Sequence, residues 1–298
     1  MKVLIIGYGE MGHAMEHLLR QHHDLVIWNR SPVAGLEPID LDMAAGVADI
    51  VIYCIPVVPL AEVAGRLVAQ LRDDSLSLII SKGLDDAGRT APQALQAVYG
   101  EQRAFAALYG PMISEEIRAG RPGFAQVGVS REGHFDGVAR LFAGSSLYLE
   151  ASTDIAGIAW SSVLKNVYAI LVGAADALEL GVNVRGYLIV TAIAEMRKII
   201  SALGGCGPTS LQLAGLGDLV TTATSPDSHH YALGGQLARG ETRAPSGEGI
   251  HTLEMLGKRG LLEADDFPLY RLVRSIVADP SDMEGKITTV IAHQFGHA

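Results

Sequence analysis

Met1-Lys2-Val3-Leu4-Ile5-Ile6-Gly7-Tyr8-Gly9-Glu10-Met11-Gly12 opens the chain, and its reading decides the fold. Val3 to Ile6 is a short, unbroken apolar run, the form taken by a strand buried on both faces of a parallel sheet. It stops at Gly7, and a helical pattern begins at Gly12. A G-x-G-x-x-G motif between strand and helix meets the context required of a dinucleotide-binding fingerprint. Gly7 permits the tight turn, Gly9 removes the side chain that would block a pyrophosphate, and Gly12 lets helix and sheet approach closely. The helix N-terminus then offers N–H groups and a partial positive charge to the phosphates. Tyr8, Glu10 and Met11 fill the variable positions of the same cofactor-binding loop.

Outward from this loop, short apolar runs alternate with helical patterns. The expected strands are Val3–Ile6, Leu25–Trp28, Ile50–Ile55, Leu76–Ser81, Phe105–Tyr109, Ala125–Val129 and Leu147–Glu150, which predicts an α/β fold with a mostly parallel, Rossmann-type sheet. From Asp154 onward strand-like runs give way to long Ala- and Leu-rich segments, so an all-helical second half is expected. The predicted boundary separates a dinucleotide-binding domain, 1–152, from a helical substrate domain, 153–298, with Asp154 capping the first long helix. The apolar stretch Ile155 to Val182 is interrupted by Lys165, Asn166, Asp176 and Glu179, which favours a buried helix over a membrane span. Residues 239–248 read as a mobile loop.

The 298 residues carry a formal net charge of −10, with no cluster of Lys and Arg, which argues against nucleic acid and for a small-molecule substrate. The two cysteines, Cys54 and Cys206, have no metal-ligand spacing, so neither a disulfide framework nor a metal site is expected. The N-terminal apolar run ends too soon for a signal peptide, and a cytoplasmic setting is expected. The apolar helical half leaves a face for a second copy, which predicts a homodimer.

The second strand ends at Trp28-Asn29-Arg30-Ser31. An acidic residue there would bind the ribose hydroxyls of NAD, whereas Arg30 can pair with a 2′-phosphate, so NADP is expected as well as NAD. Pro56 closes the third strand and Lys82, in Ser81-Lys82-Gly83-Leu84, the fourth, both on the edge where ligands sit in open α/β sheets. Gly110-Pro111-Met112 closes the fifth, and Gly110 is expected beside the nicotinamide. Lys165 lies in apolar helical text, where an ammonium is expensive unless compensated. A desolvated lysine near a second cation such as Lys82 has a lowered pKa and suits a general base. Asp218, in Leu213-Ala214-Gly215-Leu216-Gly217-Asp218-Leu219, is read as a carboxylate presented by a Gly-rich turn or, more plainly, as a helix cap.

The glycine fingerprint, Ser81-Lys82-Gly83-Leu84, Leu164-Lys165-Asn166-Val167, Ala194-Glu195-Met196 and Leu213 to Leu219 stand in the order found in NAD(P)-dependent glycerol-3-phosphate dehydrogenases, which the chain resembles over nearly its whole length. The resemblance implies that Lys165 takes the proton from the C2 hydroxyl of sn-glycerol 3-phosphate as hydride leaves, and returns it when dihydroxyacetone phosphate is reduced. Lys82 and Asp218 would position and polarise that oxygen, Asn166 would hold the substrate, and Glu248 would lie near the cofactor.

Departures from the family pattern bear on the substrate. Where members carry Arg-Asn to bind the phosphate, after Ser228 this chain reads His229-His230, and imidazoles bind phosphate more weakly and with a pH dependence. Ser228, His229 and His230 remain the candidate phosphate contacts. A second familiar arginine is replaced by Thr191, and a Ser or Thr by Met112. A same-fold dehydrogenase for a less anionic hydroxy substrate is therefore the alternative, since Gly7 to Gly12 also resembles β-hydroxyacid dehydrogenases. A non-catalytic dinucleotide sensor is disfavoured by Lys82, Lys165 and Asp218 together.

Overall fold

The computed structural model describes residues 1–242 and 245–296, so residues 243 and 244 of the 239–248 loop lie outside the described residues. The expected apolar runs form one seven-stranded sheet in the order β2-β1-β3-β4-β5-β6-β7. The strands are β1 (Lys2–Ile6), β2 (Asp24–Trp28), β3 (Ile50–Tyr53), β4 (Leu76–Ile79), β5 (Phe105–Tyr109), β6 (Gly123–Val129) and β7 (Leu147–Ser152). Successive side chains point to opposite faces, and both faces are covered. Val3 and Ile5 of β1 join the core beneath α1 (Glu10–Leu19), while Leu4 and Ile6 join a second core on the other face. Ile50 and Ile52 separate from Val51 and Tyr53 in the same way. This is why the strands read as unbroken apolar runs rather than as alternating ones.

Every pairing is parallel except β5 with β6, which is antiparallel. β3 and β4 stop earlier than the apolar runs. Residues 54–56 and 80–82 leave the ladder and line a cleft at the carboxyl edge of the sheet. Strand order reverses between β1 and β3, so the glycine loop opens at the switch point where ligands bind in such sheets.

The remaining sheet-layer helices are α2 (Leu41–Val47), α3 (Leu60–Leu67), α4 (Ala91–Tyr99), α5 (Ser114–Arg118) and α6 (Phe135–Leu141). After β7 the described chain is helical: α7 (Ile155–Ala177), α8 (Val182–Ala202), α9 (Asp218–Thr224), α10 (His229–Ala238), α11 (Glu248–Lys258), α12 (Pro268–Ala278) and α13 (Met283–Gln294). Asp154 caps α7 as expected, accepting the Gly157 N–H at 2.8 Å, and also accepts from Cys206 N and Thr209 Oγ1. Helix α7 is long and apolar enough to cross a membrane by composition, yet every residue from Gly157 to Ala175 is buried, Ile158 and Ala159 against β5 and much of the rest among the other helices. Its crossing with α10 is backbone on backbone. A Cβ on Gly173 would stand 2.0 Å from the Tyr231 carbonyl oxygen, and one on Gly234 would stand 1.9 Å from that of Ile170. This contact seats the start of α10, with His229 and His230, over the cleft.

Candidate active site

The glycine loop has the geometry that its motif requires. Gly7 has φ +97°, and a Cβ there would lie 2.5 Å from the Cys54 carbonyl oxygen; one on Gly12 would lie 2.3 Å from that of Gly7. A Cβ on Gly9 would meet nothing within 4 Å, because Gly9 faces the open cleft. The loop thus forms a cradle at the start of α1 with room for a dinucleotide. Asn29, at the end of β2, accepts the Tyr8 N–H at 3.2 Å and fixes the loop from the side; Arg30 beside it is exposed. The cleft has a volume of about 520 Å³, and its walls include Gly9, Glu10, Met11, Pro56, Lys82, His229 and Glu248.

Three charged side chains from distant parts of the chain meet where Lys82 lines this cleft, with Lys165 and Asp218 buried behind it. Asp218 Oδ2 accepts from Lys82 Nζ at 2.7 Å, and Asp218 Oδ1 lies 3.2 Å from Lys165 Nζ. Lys165 Nζ also donates to Thr222 Oγ1 at 2.6 Å. Asp218 does not cap its helix; its carboxylate is spent on the two ammonium groups. Burial pushes the Lys165 pKa down, Asp218 pulls it up, Lys82 pushes it down again, and it settles at about 8. Burial alone would raise Asp218, but Lys165 and Lys82 outweigh it and hold the carboxyl below its usual range. Glu248 is shifted upward by desolvation, against the pull of both lysines.

Asn166 is buried beside Lys165, and its Oδ1 has no partner among the described residues. A buried amide oxygen without a donor is costly, and a hydroxyl-bearing ligand would supply one. His229 is exposed at the cleft mouth, with Nε2 3.0 Å from Glu10 Oε1. His230 points inward and accepts the Gly249 N–H at Nε2. Burial, followed by the repulsion of Lys165 and His229, lowers its pKa to about 3. It is therefore neutral at ordinary pH, so the positive charge expected of the two-histidine pair cannot come from this member.

Three residues that position the site or its surroundings were given no role from the sequence, although Glu195 stood in a motif carrying the resemblance. Thr222 follows Asp218 by one helical turn, and that spacing was the available signal. Gln126, buried in β6, accepts from Ala214 N at 3.0 Å and donates to Gln212 at 2.6 Å, pinning to the sheet the turn of π-helix at Leu213–Gly217 that presents Asp218. Glu195, buried on α8, accepts from Leu269 N, Tyr270 N and Tyr168 Oη and so anchors the start of α12 against α7. In the other direction, Met112 packs into the sheet core instead of the cleft, and Gly110 is needed where its Cα passes β6, a Cβ there lying 2.5 Å from Phe124 O. Thr191 is half-buried on α8.

Residues 36–134 match the family of the NAD-dependent glycerol-3-phosphate dehydrogenase N-terminus, and residues 154–287 match that of its C-terminus. The chain is 31% identical to a glycerol-3-phosphate dehydrogenase [NAD(P)+] of Acaryochloris marina over 96% of its own length and 92% of the relative's. It is also 31% identical to one of Agrobacterium fabrum, with 93% and 92% covered. Among solved structures, glycerol-3-phosphate dehydrogenase of Coxiella burnetii superposes with a TM-score of 0.85 at 22% identity, covering 97% of this chain and 98% of that one. A ketopantoate reductase of Ralstonia eutropha shares the fold more loosely, with a TM-score of 0.60 at 17% identity, covering 97% and 99%.

Proposed function

The chain belongs to the NAD-dependent glycerol-3-phosphate dehydrogenase family and is an oxidoreductase acting on a CH–OH group with NAD or NADP, and from that premise we propose that Lys165 is its acid–base residue. The reaction is the interconversion of sn-glycerol 3-phosphate and dihydroxyacetone phosphate. The observation that carries the assignment of Lys165 is its environment: a buried ammonium with a pKa near 8, one carboxylate away from Lys82. When bound, the nicotinamide accepts or supplies the hydride at substrate C2.

The remaining work falls to the chain. In the oxidising direction neutral Lys165 takes the proton of the C2 hydroxyl; in the reducing direction its ammonium returns it. Lys82 places positive charge beside the same oxygen, where negative charge develops. Asp218 holds both nitrogens in register, and Thr222 fixes the Lys165 end. Asn166 Oδ1 accepts a substrate hydroxyl. Gly7 to Gly12 and the first turn of α1 take the pyrophosphate, with Pro56, Gly110 and Glu248 toward the nicotinamide end. Arg30, exposed at the end of β2, would meet the 2′-phosphate of a bound NADP, which supports use of that cofactor. Ser228 and His229 are the groups left to meet the substrate phosphate.

The proposed division of labour gives dinucleotide binding to 1–152 and the base to 153–298. The chain works as a cytoplasmic homodimer; support for the dimer comes from Val182 and Val190, which stand 72% and 70% exposed on α8. Light scattering at the mass of one chain would remove the dimer.

A second reading has an observation in its favour. Among the described residues lining the cleft none is an arginine, and Glu10 adds a negative charge, which suits a less anionic hydroxy substrate. One experiment separates the two: NADPH and NADH oxidation followed with dihydroxyacetone phosphate. Saturable turnover establishes the first reading. Intact cofactor binding with no turnover moves the enzyme to another hydroxy or keto substrate.

A further inference from the structure

A second concave site lies behind the glycine loop. The outer face of α1 presents His13, Glu16, His17 and Arg20, one helical turn after another, and faces Arg118 at the end of α5 and the segment Gly144–Ser146. Between them is a groove of about 530 Å³ that also takes in His22. In a chain with a net charge of −10, two arginines and three histidines gather here around one carboxylate. That carboxylate is already engaged, because Glu16 is paired with Arg20 and accepts the Tyr8 hydroxyl. Among the described residues the side chains of Arg118, His17 and His22 have no partner within the chain, so their donors are available to a ligand.

His13 and His17 have the i, i+4 spacing of a metal-binding helix, but among the described residues no group of three His, Cys, Asp or Glu is arranged to hold an ion. The groove is too polar for an apolar ligand and too small for a nucleic-acid duplex. Guanidinium and imidazole donors converging on a pocket of this size fit a small molecule with at least two negative charges.

We propose that this groove binds a small polyanion, a phosphorylated or polycarboxylate metabolite, and that the bound anion tunes dinucleotide affinity through Glu16 and Tyr8. The coupling follows from the bonding. Tyr8 is part of the glycine fingerprint, its ring lies against His13 with centroids 3.8 Å apart and the planes tilted by 44°, and its hydroxyl is bonded to Glu16. An anion that draws Arg20 away from Glu16 changes the partner balance of the residue that holds Tyr8, and the cradle moves with it.

The test is calorimetric titration of inorganic pyrophosphate, and separately of citrate, into the chain saturated with NADPH, so that the pyrophosphate subsite of the cleft is filled. The proposal rests on cofactor occupancy of the cleft, and an initial NADPH titration shows independently whether that holds. One saturable, salt-sensitive site per chain is expected. It should weaken by about tenfold in the Arg118→Ala/His17→Ala double variant and persist in His229→Ala. Tighter binding of pyrophosphate marks a phosphate ester as the natural ligand, and tighter binding of citrate marks a polycarboxylate. Pyrophosphate should also change the NADPH KM by about fivefold more in the wild type than in the double variant, with kcat unchanged. No saturable binding to the NADPH complex, or binding lost in His229→Ala and retained in the double variant, would overturn the groove as the site. Binding with equal KM effects in both proteins would overturn the coupling.

Discussion

Glu10 Oε1 and His229 Nε2 lie 3.0 Å apart across the mouth of the cleft, joining the first turn of α1 to the first turn of α10. Both side chains are more than half exposed, and an exposed pair of this kind contributes at most about 1 kcal/mol, so it does not hold the two halves together. Its weight is electrostatic. A carboxylate at the start of α1 suits the helix dipole but stands where phosphate oxygens would approach the helix N-terminus. Removing it in Glu10→Ser should lower the KM for NADPH, and the gain should shrink as salt is raised. His229→Arg should lower the KM for dihydroxyacetone phosphate, because a guanidinium grips phosphate through two donors. Unchanged KM values in both variants would show that neither residue faces a bound ligand.

Lys165 should set the pH dependence of the reaction. With its pKa near 8, kcat/KM for alcohol oxidation should rise as pH climbs through that value, and kcat/KM for ketone reduction should fall over the same window. Asp218→Asn removes the charge that raises the Lys165 pKa, so both midpoints should move to lower pH. Lys165→Ala should cost roughly 10²- to 10⁴-fold in turnover while leaving NADPH affinity near normal. Profiles flat from about pH 7 to 9 in both directions would assign the proton to another group.

The sheet was legible because burial on both faces writes itself as unbroken apolar runs, and the glycine loop because each glycine answers a steric demand. Strand direction was not legible: Ala125 to Val129 reads alike in either sense, and only the structure shows that β6 runs against β5. Lys165 and Asp218 could be singled out by chemistry and by resemblance. Their meeting with Lys82 depends on a fold that brings together residues 136 apart. Gln126 looked like an ordinary polar interruption of a strand, since its partners are more than 80 residues away. Met112 was expected near the site because it follows a strand end, but an unbranched apolar side chain is better satisfied in the adjoining core, where it lies.

The glycine crossing of α7 and α10 carried no signal in the sequence and makes a sharp prediction. Gly173→Ala or Gly234→Ala would put a methyl within about 2 Å of a carbonyl oxygen, so the helices must separate. Overpacking of this kind costs about 1–3 kcal/mol or more, and it should appear as a lowered urea midpoint. Because α10 carries His229 and His230, activity should fall further than stability alone accounts for. A midpoint equal to that of the wild type would mean that the helices are not in backbone contact.

His230 should make the protein sensitive to acid. Its native pKa of about 3 lies below its ordinary 6.5, so between those values the unfolded chain takes up a proton that the native one refuses. Stability therefore falls as pH drops from 6.5 toward 3. The contribution, discounted for the partial exposure of the ring, is roughly 2–4 kcal/mol over the whole window. Asp218 adds to the loss at the acid end: its lowered pKa stabilises the native state above the usual carboxylate range, and that stability disappears as pH falls through the native value. His230→Gln retains an amide oxygen to accept the Gly249 N–H and removes the titration. Urea unfolding at pH 6.5 and about 4.5 should show a smaller drop in the variant than in the wild type. Equal drops would mean that the native imidazole takes the proton after all, and that the pocket around it opens to solvent in acid.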